Sequence, residues 1–491
     1  MQKEKITLVR GLGLLAAISI IIGNVVGTGV FLKARVMTCN LGSPEWVLIA
    51  WIAAGVLSLA GALTYAELSA MKPEAGGEYV FLRDAYGRVW SFLYGWMLIF
   101  VGKTGAQASV AVVFAIGLND FLGGGLKQTL IKSETLSYYF GSPIEITSLQ
   151  IIAVLMIIIF TTINCASVAF SGRIATVLTF VKIALIAFVG IGAFVWVTGG
   201  TFGNFSLMNS GGTCEGVGES VKYGSASYTF VAGFAAAMLG ALWGYDGWNN
   251  LTLVAGEIEK PERNIPIALI GGTIVIIVLY IFVHLAYFYV LDPTTIASVS
   301  KDSSVAKEVV SRFFGADMKT FATGFAVSLF TVGLMLSSVG TLHTSILTGA
   351  RVPYAMAKDG LMFEPMGRLS EGTRVPVIAL IVQGIWACVL ALSGSFDTLT
   401  DYVIFGSWIF YALATSTVFV FRRKYPDAVR PYRAFGYPIV PILFLLVAGF
   451  LLINTMISSP TQAFAGIFLI LIGLPVYYYL TRRNVGGAGE E

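Results

Sequence analysis

Charge is scarce in this chain. Of 491 residues only 12% are Asp, Glu, Lys or Arg, against roughly 25% in a soluble globule, while 56% are hydrophobic. That scarcity excludes a water-soluble fold, because most side chains must face lipid or other apolar helices. Histidine occurs twice and cysteine four times (Cys39, Cys165, Cys214, Cys388), without metal-ligand spacing, so no metal site is expected. The cysteines read as unpaired; a Cys39–Cys214 bridge is the alternative if both face outside. No cofactor is expected, and no nucleophile with a base at matched depth points to an enzyme. The net charge of +4 is not gathered into a basic arm or an aromatic-interleaved patch, which argues against nucleic acid as a partner. Lys3, Lys5 and Arg10 run into apolar sequence without a small-residue cleavage site, so no cleaved leader is expected.

Long hydrophobic runs are what the chain does have. At about 20 apolar residues per crossing, twelve spans are predicted: 12–33, 44–70, 90–118, 148–169, 174–198, 228–257, 265–291, 319–349, 375–394, 398–421, 437–457 and 463–481. An even number returns the chain to its starting side. With the N-terminus inside, 20 Lys and Arg fall in cytoplasmic segments and nine on the other side, with Lys103 and Lys182 within spans. The positive-inside rule therefore places both termini in the cytoplasm. No linker longer than a loop interrupts residues 10–483, which read as one transmembrane domain in the lipid bilayer. The loops 119–147, 199–227 and 292–318 are the longest outside, and Trp90, Phe92, Tyr94 and Trp96 fit an interfacial aromatic belt.

Two spans are broken near their middles, at Gly23-Asn24-Val25-Val26-Gly27-Thr28-Gly29 and at Gly240-Ala241-Leu242-Trp243-Gly244-Tyr245-Asp246-Gly247. Bare backbone at membrane depth is tolerated only where it is buried in protein or lines a cavity. Interruptions at corresponding places in two halves point to the binding site of a secondary transporter. Around Val25, Gly27, Thr28 and Gly29, unpaired N–H groups at a helix N-terminus suit a carboxylate. Near Leu242, Trp243 and Gly244, the last carbonyls of a half-helix suit an ammonium. Together they match the two charges of an α-amino acid, although Gly23 and Gly27 also have the spacing of close helix packing.

These residues resemble the amino acid-polyamine-organocation transporters. The resemblance rests on Gly23 to Phe31, Gly42-Ser43-Pro44, Tyr65-Ala66-Glu67-Leu68 and Gly76-Gly77-Glu78-Tyr79. Asn164-Cys165-Ala166-Ser167-Val168, Gly247-Trp248-Asn249 and Pro261-Glu262-Arg263-Asn264-Ile265-Pro266 are similar to the L-type amino acid transporter branch. The resemblance implies an all-α polytopic fold of twelve transmembrane helices: a 5+5 inverted repeat of the LeuT-like kind (12–200 and 228–421) plus two C-terminal helices (437–481). It also implies sodium-independent amino acid exchange or uptake by alternating access. Thr28 and Gly29 would hold the substrate carboxylate, the Trp243 and Gly244 carbonyls its amino group, and Trp243 would gate. Light chains of this branch carry a cysteine in the loop corresponding to 119–147. None is present here, so no disulfide-linked heavy-chain subunit is expected.

Intramembrane charges complete the candidate site. A lysine at a helix centre costs roughly 2.5–3.5 kcal/mol to insert, so Lys182 needs a partner or must snorkel. The resemblance implies that its ammonium occupies the place where sodium-coupled relatives hold a cation, bracing the first break near Gly23. Asp246 has two readings: a substrate contact that attracts a basic side chain, or a silent ion pair with Lys103. Ser337, Ser338 and His343 are possible pocket residues, although a lone helix histidine more often packs, as His284 does. Glu67, Glu257 and Glu259 are read as solvated or inner-gate groups. The chain thus reads as an exchanger of small or medium neutral L-amino acids in the cytoplasmic membrane. A proton-coupled or cationic permease is the rival, and a sensor or channel the alternative from another class.

Overall fold

The computed structural model describes residues 7–133, 144–300, 303–315, 321–393, 396–458 and 460–486. Lys3, Lys5, Lys301 and Lys319 lie outside them, as do residues 134–143 of the loop 119–147. The first span is two helices, α1 (Leu14–Val25) and α2 (Gly29–Leu41), bent by 41° across the break. Helix α2 outruns the expected end at 33. Lys33 and Arg35 look like loop charges, but Arg35 is buried and its guanidinium donates to the Glu215 carbonyl at 2.9 Å.

The Gly42-Ser43-Pro44 motif then turns the chain. Gly42 (φ 74°) ends α2 in the left-handed region, with its N–H on the Thr38 carbonyl at 2.8 Å. Ser43 caps α3 (Pro44–Met71) by accepting from the Trp46 N–H at 3.3 Å. Pro44 sits at the helix start, where a missing N–H costs nothing.

Next come α4 (Glu78–Tyr86), α5 (Arg88–Phe121, with a π-helical turn at Leu98–Gly102), α6 (Ser148–Asn164) and α7 (Val168–Trp196). Strands β1 (Thr129–Ser133) and β2 (Ile144–Thr147) form an antiparallel ribbon before α6. The second half holds α8 (Phe230–Tyr245), a 3-10 segment Trp248–Glu257, α9 (Pro261–Val290), α10 (Pro293–Ser298) and α11 (Val305–Ser311). It continues through α12 (Phe321–Gly349), α13 (Arg351–Lys358), α14 (Val377–Leu392) and α15 (Phe396–Lys424). Helices α16 (Ile439–Ser458), α17 (Pro460–Leu471) and α18 (Gly473–Gly486) complete the chain.

Seven helices among the described residues are long and apolar enough to cross a bilayer, and the α1–α2 pair makes an eighth. Helices α6 and α14 are apolar but shorter, at 17 and 16 residues. Leu446, Ile453, Phe464 and Phe468 are exposed on the last helices, a surface that suits lipid. The chain is therefore a multi-pass helical membrane protein.

Helix α1 packs against α7, α9 and α12, while α8 packs against α2 and α3, so both broken elements are central. The aromatic run of α5 is not a uniform interfacial belt. Trp90 is exposed, but Phe92 and Tyr94 are buried, and the Tyr94 hydroxyl donates to Glu78 at 3.0 Å.

Two carboxylates expected to be solvated or gating are buried in ion pairs. Glu257 takes a two-pronged contact from Arg351, 2.9 Å on each oxygen. Glu67 accepts from Arg422 at 3.0 and 2.7 Å and from the Ala434 N–H at 2.6 Å. Removing one partner of such a buried pair costs about 3–5 kcal/mol. The segment before α1 is clipped to the same place, since the Gly11 and Leu12 N–H groups donate to the Glu257 carbonyl at 3.1 and 3.0 Å.

Cys39 and Cys214 form a disulfide, which corrects the expectation of four unpaired cysteines. The partners are 175 residues apart and so carry no spacing signal, but their Cα atoms come within 5.6 Å. Hydrogen bonds fasten the same loop to α2: the Asn209 N–H to the Gly42 carbonyl (2.7 Å), the Tyr223 N–H to the Cys39 carbonyl (2.8 Å) and the Asn40 amide to the Val221 carbonyl (3.0 Å). The Cys214 N–H donates to the Ala297 carbonyl in α10 at 3.1 Å.

Candidate functional site: the two helix breaks

At the first break the backbone leaves helical geometry after Val25, and the Gly27 N–H turns back to the Val25 carbonyl at 2.8 Å. Helix α2 then starts at Gly29. Among the described residues, the N–H groups of Thr28, Gly29 and Val30 donate no hydrogen bond. They are the free donors that any helix N-terminus leaves.

Lys182 is fully buried on α7, and its Nζ donates to the Gly23 carbonyl at 2.6 Å, the Val26 carbonyl at 2.6 Å and the Thr341 hydroxyl at 2.7 Å. An ammonium has three protons, and three acceptors take them all. The contact with Gly23 implied by the family resemblance is present. Lys182 is fully buried and fully partnered, so it does not snorkel.

The second break begins later than the sequence suggests. Helix α8 continues through Gly240, Leu242, Trp243 and Gly244 to Tyr245, and the interruption is Asp246-Gly247. Three glycines that look alike do different work. Gly247 alone has a left-handed backbone, φ 103°. A Cβ on Gly244 would stand 2.6 Å from the Trp51 ring, so this glycine serves close packing, whereas Gly240 meets only Met37, at 3.5 Å. The Trp243 carbonyl accepts the Asp246 N–H at 3.2 Å, and the Gly244 carbonyl accepts the Tyr280 hydroxyl at 2.9 Å.

The two breaks face each other. A Cβ built on Gly29 would lie 3.0 Å from the Gly244 Cα and 3.5 Å from the Trp243 ring; one on Gly247 would lie 3.1 Å from the Asn24 Cβ. The Tyr280 hydroxyl touches both, reaching the Val25 carbonyl at 3.0 Å as well as Gly244. Residue choice alone does not single out Tyr280, Thr341 or Tyr411. The available signals are that a phenol in an apolar span needs a polar partner, and that Thr341 lies one helical turn from Ser337.

Asp246 does not form a contact ion pair with Lys103, which corrects the silent-pair reading in its direct form. Its carboxylate accepts the Tyr411 hydroxyl at 2.7 Å. Lys103 is buried, and the carboxylates whose charge acts on it are Asp246 and Glu78. Ser337 reaches the Val26 carbonyl only at 3.4 Å, and Ser338 bonds back to Leu334 in its own helix at 3.0 Å. His343 is a packing residue, fixed by the Ser171 carbonyl at 2.8 Å and by Asn164 at 3.1 Å. His284 likewise lies on Trp51, with ring centres 4.5 Å apart.

Facing half-helix ends within a helical membrane protein suggest a transporter, and a family model described as amino acid permease matches residues 12–478. The chain belongs to that family. This permease is 29% identical to the b(0,+)-type amino acid transporter 1 of Mus musculus over 474 residues, covering 96% of its own length and 88% of the relative. It is 29% identical over 486 residues to the serine/threonine exchanger SteT of Bacillus subtilis, covering 99% and 100%. The large neutral amino acids transporter small subunit 2 of Mus musculus is 26% identical over 473 residues, covering 96% and 81%. The permease is accordingly an amino acid transporter and not an enzyme.

Proposed function

We propose that this permease is a sodium-independent exchanger of small or medium neutral L-amino acids, working by alternating access in the cytoplasmic membrane with both termini inside. The observation that carries this reading is the apposition of the free N–H groups at Thr28, Gly29 and Val30 with the end of α8 at Gly244. Thr28 and Gly29, with Val25 and Gly27 shaping the turn, hold the substrate carboxylate, where the helix dipole adds to the hydrogen bonds. The Leu242, Trp243 and Gly244 end of α8 receives the ammonium, and the half-buried Trp243 ring gates the space beside it. Lys182 replaces the cation that a sodium-coupled design would bind, using the Gly23 and Val26 carbonyls as its ligands.

In this reading twelve spans form two inverted five-helix repeats, 12–200 and 228–421, with 437–481 as two extra helices in one domain. The loop 119–147 has no cysteine for a disulfide-linked heavy chain, so the permease works without one. The names of SteT, an exchanger, and of the large neutral amino acid transporter support exchange and neutral substrates. Asp246, half-buried at the second break, favours a cation-accepting permease as the second reading.

Uptake of labelled alanine, leucine and arginine into sodium-free proteoliposomes decides between them. Entry of alanine or leucine only with amino acid inside supports exchange. Entry into empty vesicles driven by a proton gradient marks a symporter, and arginine entry marks a cationic permease. Saturable binding without flux marks a sensor, and unsaturable current a channel.

A further inference from the structure

The Gly76-Gly77-Glu78-Tyr79 motif is not part of either break, yet it is fitted to the chain that follows the second one. Both glycines have left-handed backbones, φ 117° and 54°. Neither position has room for a side chain. A Cβ on Gly76 would lie 3.0 Å from the Ala355 Cβ in α13, and one on Gly77 would run into the Thr252 hydroxyl and stand 3.1 Å from the Leu253 nitrogen. The Gly76 N–H donates to the Leu253 carbonyl at 2.9 Å. Glycine meets both demands here, the positive φ and the close approach.

The motif brings Glu78, the first residue of α4, into a fully buried position. Its carboxylate accepts from the Asn249 amide, from the Thr252 hydroxyl at 3.3 Å and from the Tyr94 hydroxyl on α5 at 3.0 Å. Bonds to an ionised acceptor are stronger than neutral ones. Asn249 and Thr252 belong to the 3-10 segment Trp248–Glu257, which starts directly after Gly247. One carboxylate thus fixes where the chain goes on leaving the second break.

The far end of that segment is held by Arg351 of α13 on Glu257. The other end of α13 returns to α4, where the Asp359 carboxylate accepts the Tyr79 hydroxyl at 2.8 Å and the Arg83 guanidinium at 3.0 Å. Helix α4, the 3-10 segment and α13 therefore close a ring of contacts, and the segment is buried along its length apart from Gly256. Passage on this side requires the ring to open, and any separation of α4 from the segment breaks the bonds of Glu78.

We infer that Glu78 is a positioning residue for transport: it pins the segment after the second break to α4 and so keeps the cytoplasmic side of the permease shut while the other side is open. This rests on the alternating access and the cytoplasmic placement of α4 proposed above. Weakening Glu78 shifts the population toward the conformation open to the inside, which lowers the leucine KM at the inner face and raises it at the outer one.

The test measures leucine exchange in right-side-out and inside-out membrane vesicles for wild type, E78Q, N249D and E78Q/N249D. E78Q is expected to raise the ratio of outer to inner KM by about tenfold, the scale of losing one hydrogen bond to a charged group. N249D sets two carboxylates face to face and is expected to move the ratio further. E78Q/N249D restores a carboxylate and an amide with their places exchanged, and is expected to return toward wild type. A second reading uses T252C as a reporter in a protein whose free Cys165 and Cys388 are replaced by alanine. A membrane-impermeant thiol reagent at the inner face is expected to label it about tenfold faster when E78Q is added. N249D and its rescue remain decisive if E78Q does not fold. A merely structural role for Glu78 would lower flux from both faces together. Leucine flux in wild type, with an unmoved KM ratio and an unmoved labelling rate in E78Q, overturns the assignment of Glu78. No leucine flux in wild type overturns the transporter reading itself.

Discussion

Replacing Lys182 by methionine tests how the first break is held. The substitution keeps an unbranched side chain against α1 and α12 and removes donors to the Gly23 carbonyl (2.6 Å), the Val26 carbonyl (2.6 Å) and the Thr341 hydroxyl (2.7 Å). The Val26 carbonyl keeps only long contacts with Ser337 at 3.4 Å and Thr341 at 3.5 Å, while the Gly23 carbonyl loses its side-chain donor. Each buried acceptor left unsatisfied costs about 1–3 kcal/mol, so the break loses about 2–5 kcal/mol of support.

Substrate must then reorder residues 23–28 as it binds, and 2 kcal/mol alone corresponds to about thirty-fold in Kd. The assay is the KM for leucine exchange in proteoliposomes, paired with thermal unfolding in detergent with and without leucine. K182M is expected to raise KM by about ten-fold or more and to shrink the leucine-induced rise in Tm, since weaker binding gives less ligand stabilisation. K182R keeps the charge and is expected to fall between K182M and wild type. A K182M protein whose KM stays within about twofold of wild type would falsify the brace, because the predicted cost exceeds that margin several times over.

Three further outcomes follow from the same contacts. Tyr280→Phe removes the hydroxyl shared by Val25 and Gly244 and is expected to cost about 1–3 kcal/mol, whereas Tyr287→Phe, whose hydroxyl is 3.5 Å from its acceptor, is nearly neutral; equal shifts in Tm contradict the bridge. Breaking the Cys39–Cys214 bond, by reduction or in a double serine variant, is expected to lower stability by about 2–4 kcal/mol, and an unchanged Tm after reduction argues against the link. Burial pushes the Asp84 carboxyl up, but hydrogen bonds and charge from Arg83 and Lys72 outweigh it and hold the group below its ordinary 3.8. Its folded value is thus below its unfolded one, so its contribution is complete above about pH 4 and fades as pH falls through the folded value; D84N should flatten that acid limb, and an identical acid profile refutes the assignment.

Much of the site was legible because some residues are costly wherever they stand. The cluster from Gly23 to Gly29 reads as a break because three glycines and a threonine interrupt one apolar span, although the Gly23 and Gly27 spacing also suits close helix packing. Lys182 reads as partnered, since an isolated ammonium in lipid is too expensive. The second break is harder to place, because sequence does not separate Gly247, which needs a positive φ, from Gly244, which makes room for Trp51. Opposite charges at Lys103 and Asp246 invite a direct pair, but the nearer partner of Asp246 is Tyr411, 165 residues away. Glu67 and Glu257 look solvated from their positions near span ends; the arginines that bury them come from α15 and α13. The end of α2 is hidden for the same reason, because a backbone carbonyl at Glu215 answers the charge of Arg35.

The clasp of residues 209–223 on α2 has a mechanical consequence. One link is covalent, so the half-helix cannot swing about the hinge at Val26 to Thr28 without dragging the loop along. The same loop grips α10 through Ser210 on Thr294 and Cys214 on Ala297. Half-helix, loop and α10 therefore make one lever, assembled from three stretches of chain that are far apart in sequence. Under the alternating access proposed above, a rigid binder that seized the loop would act as a brake on that lever from a distance, without ever entering the space between the breaks.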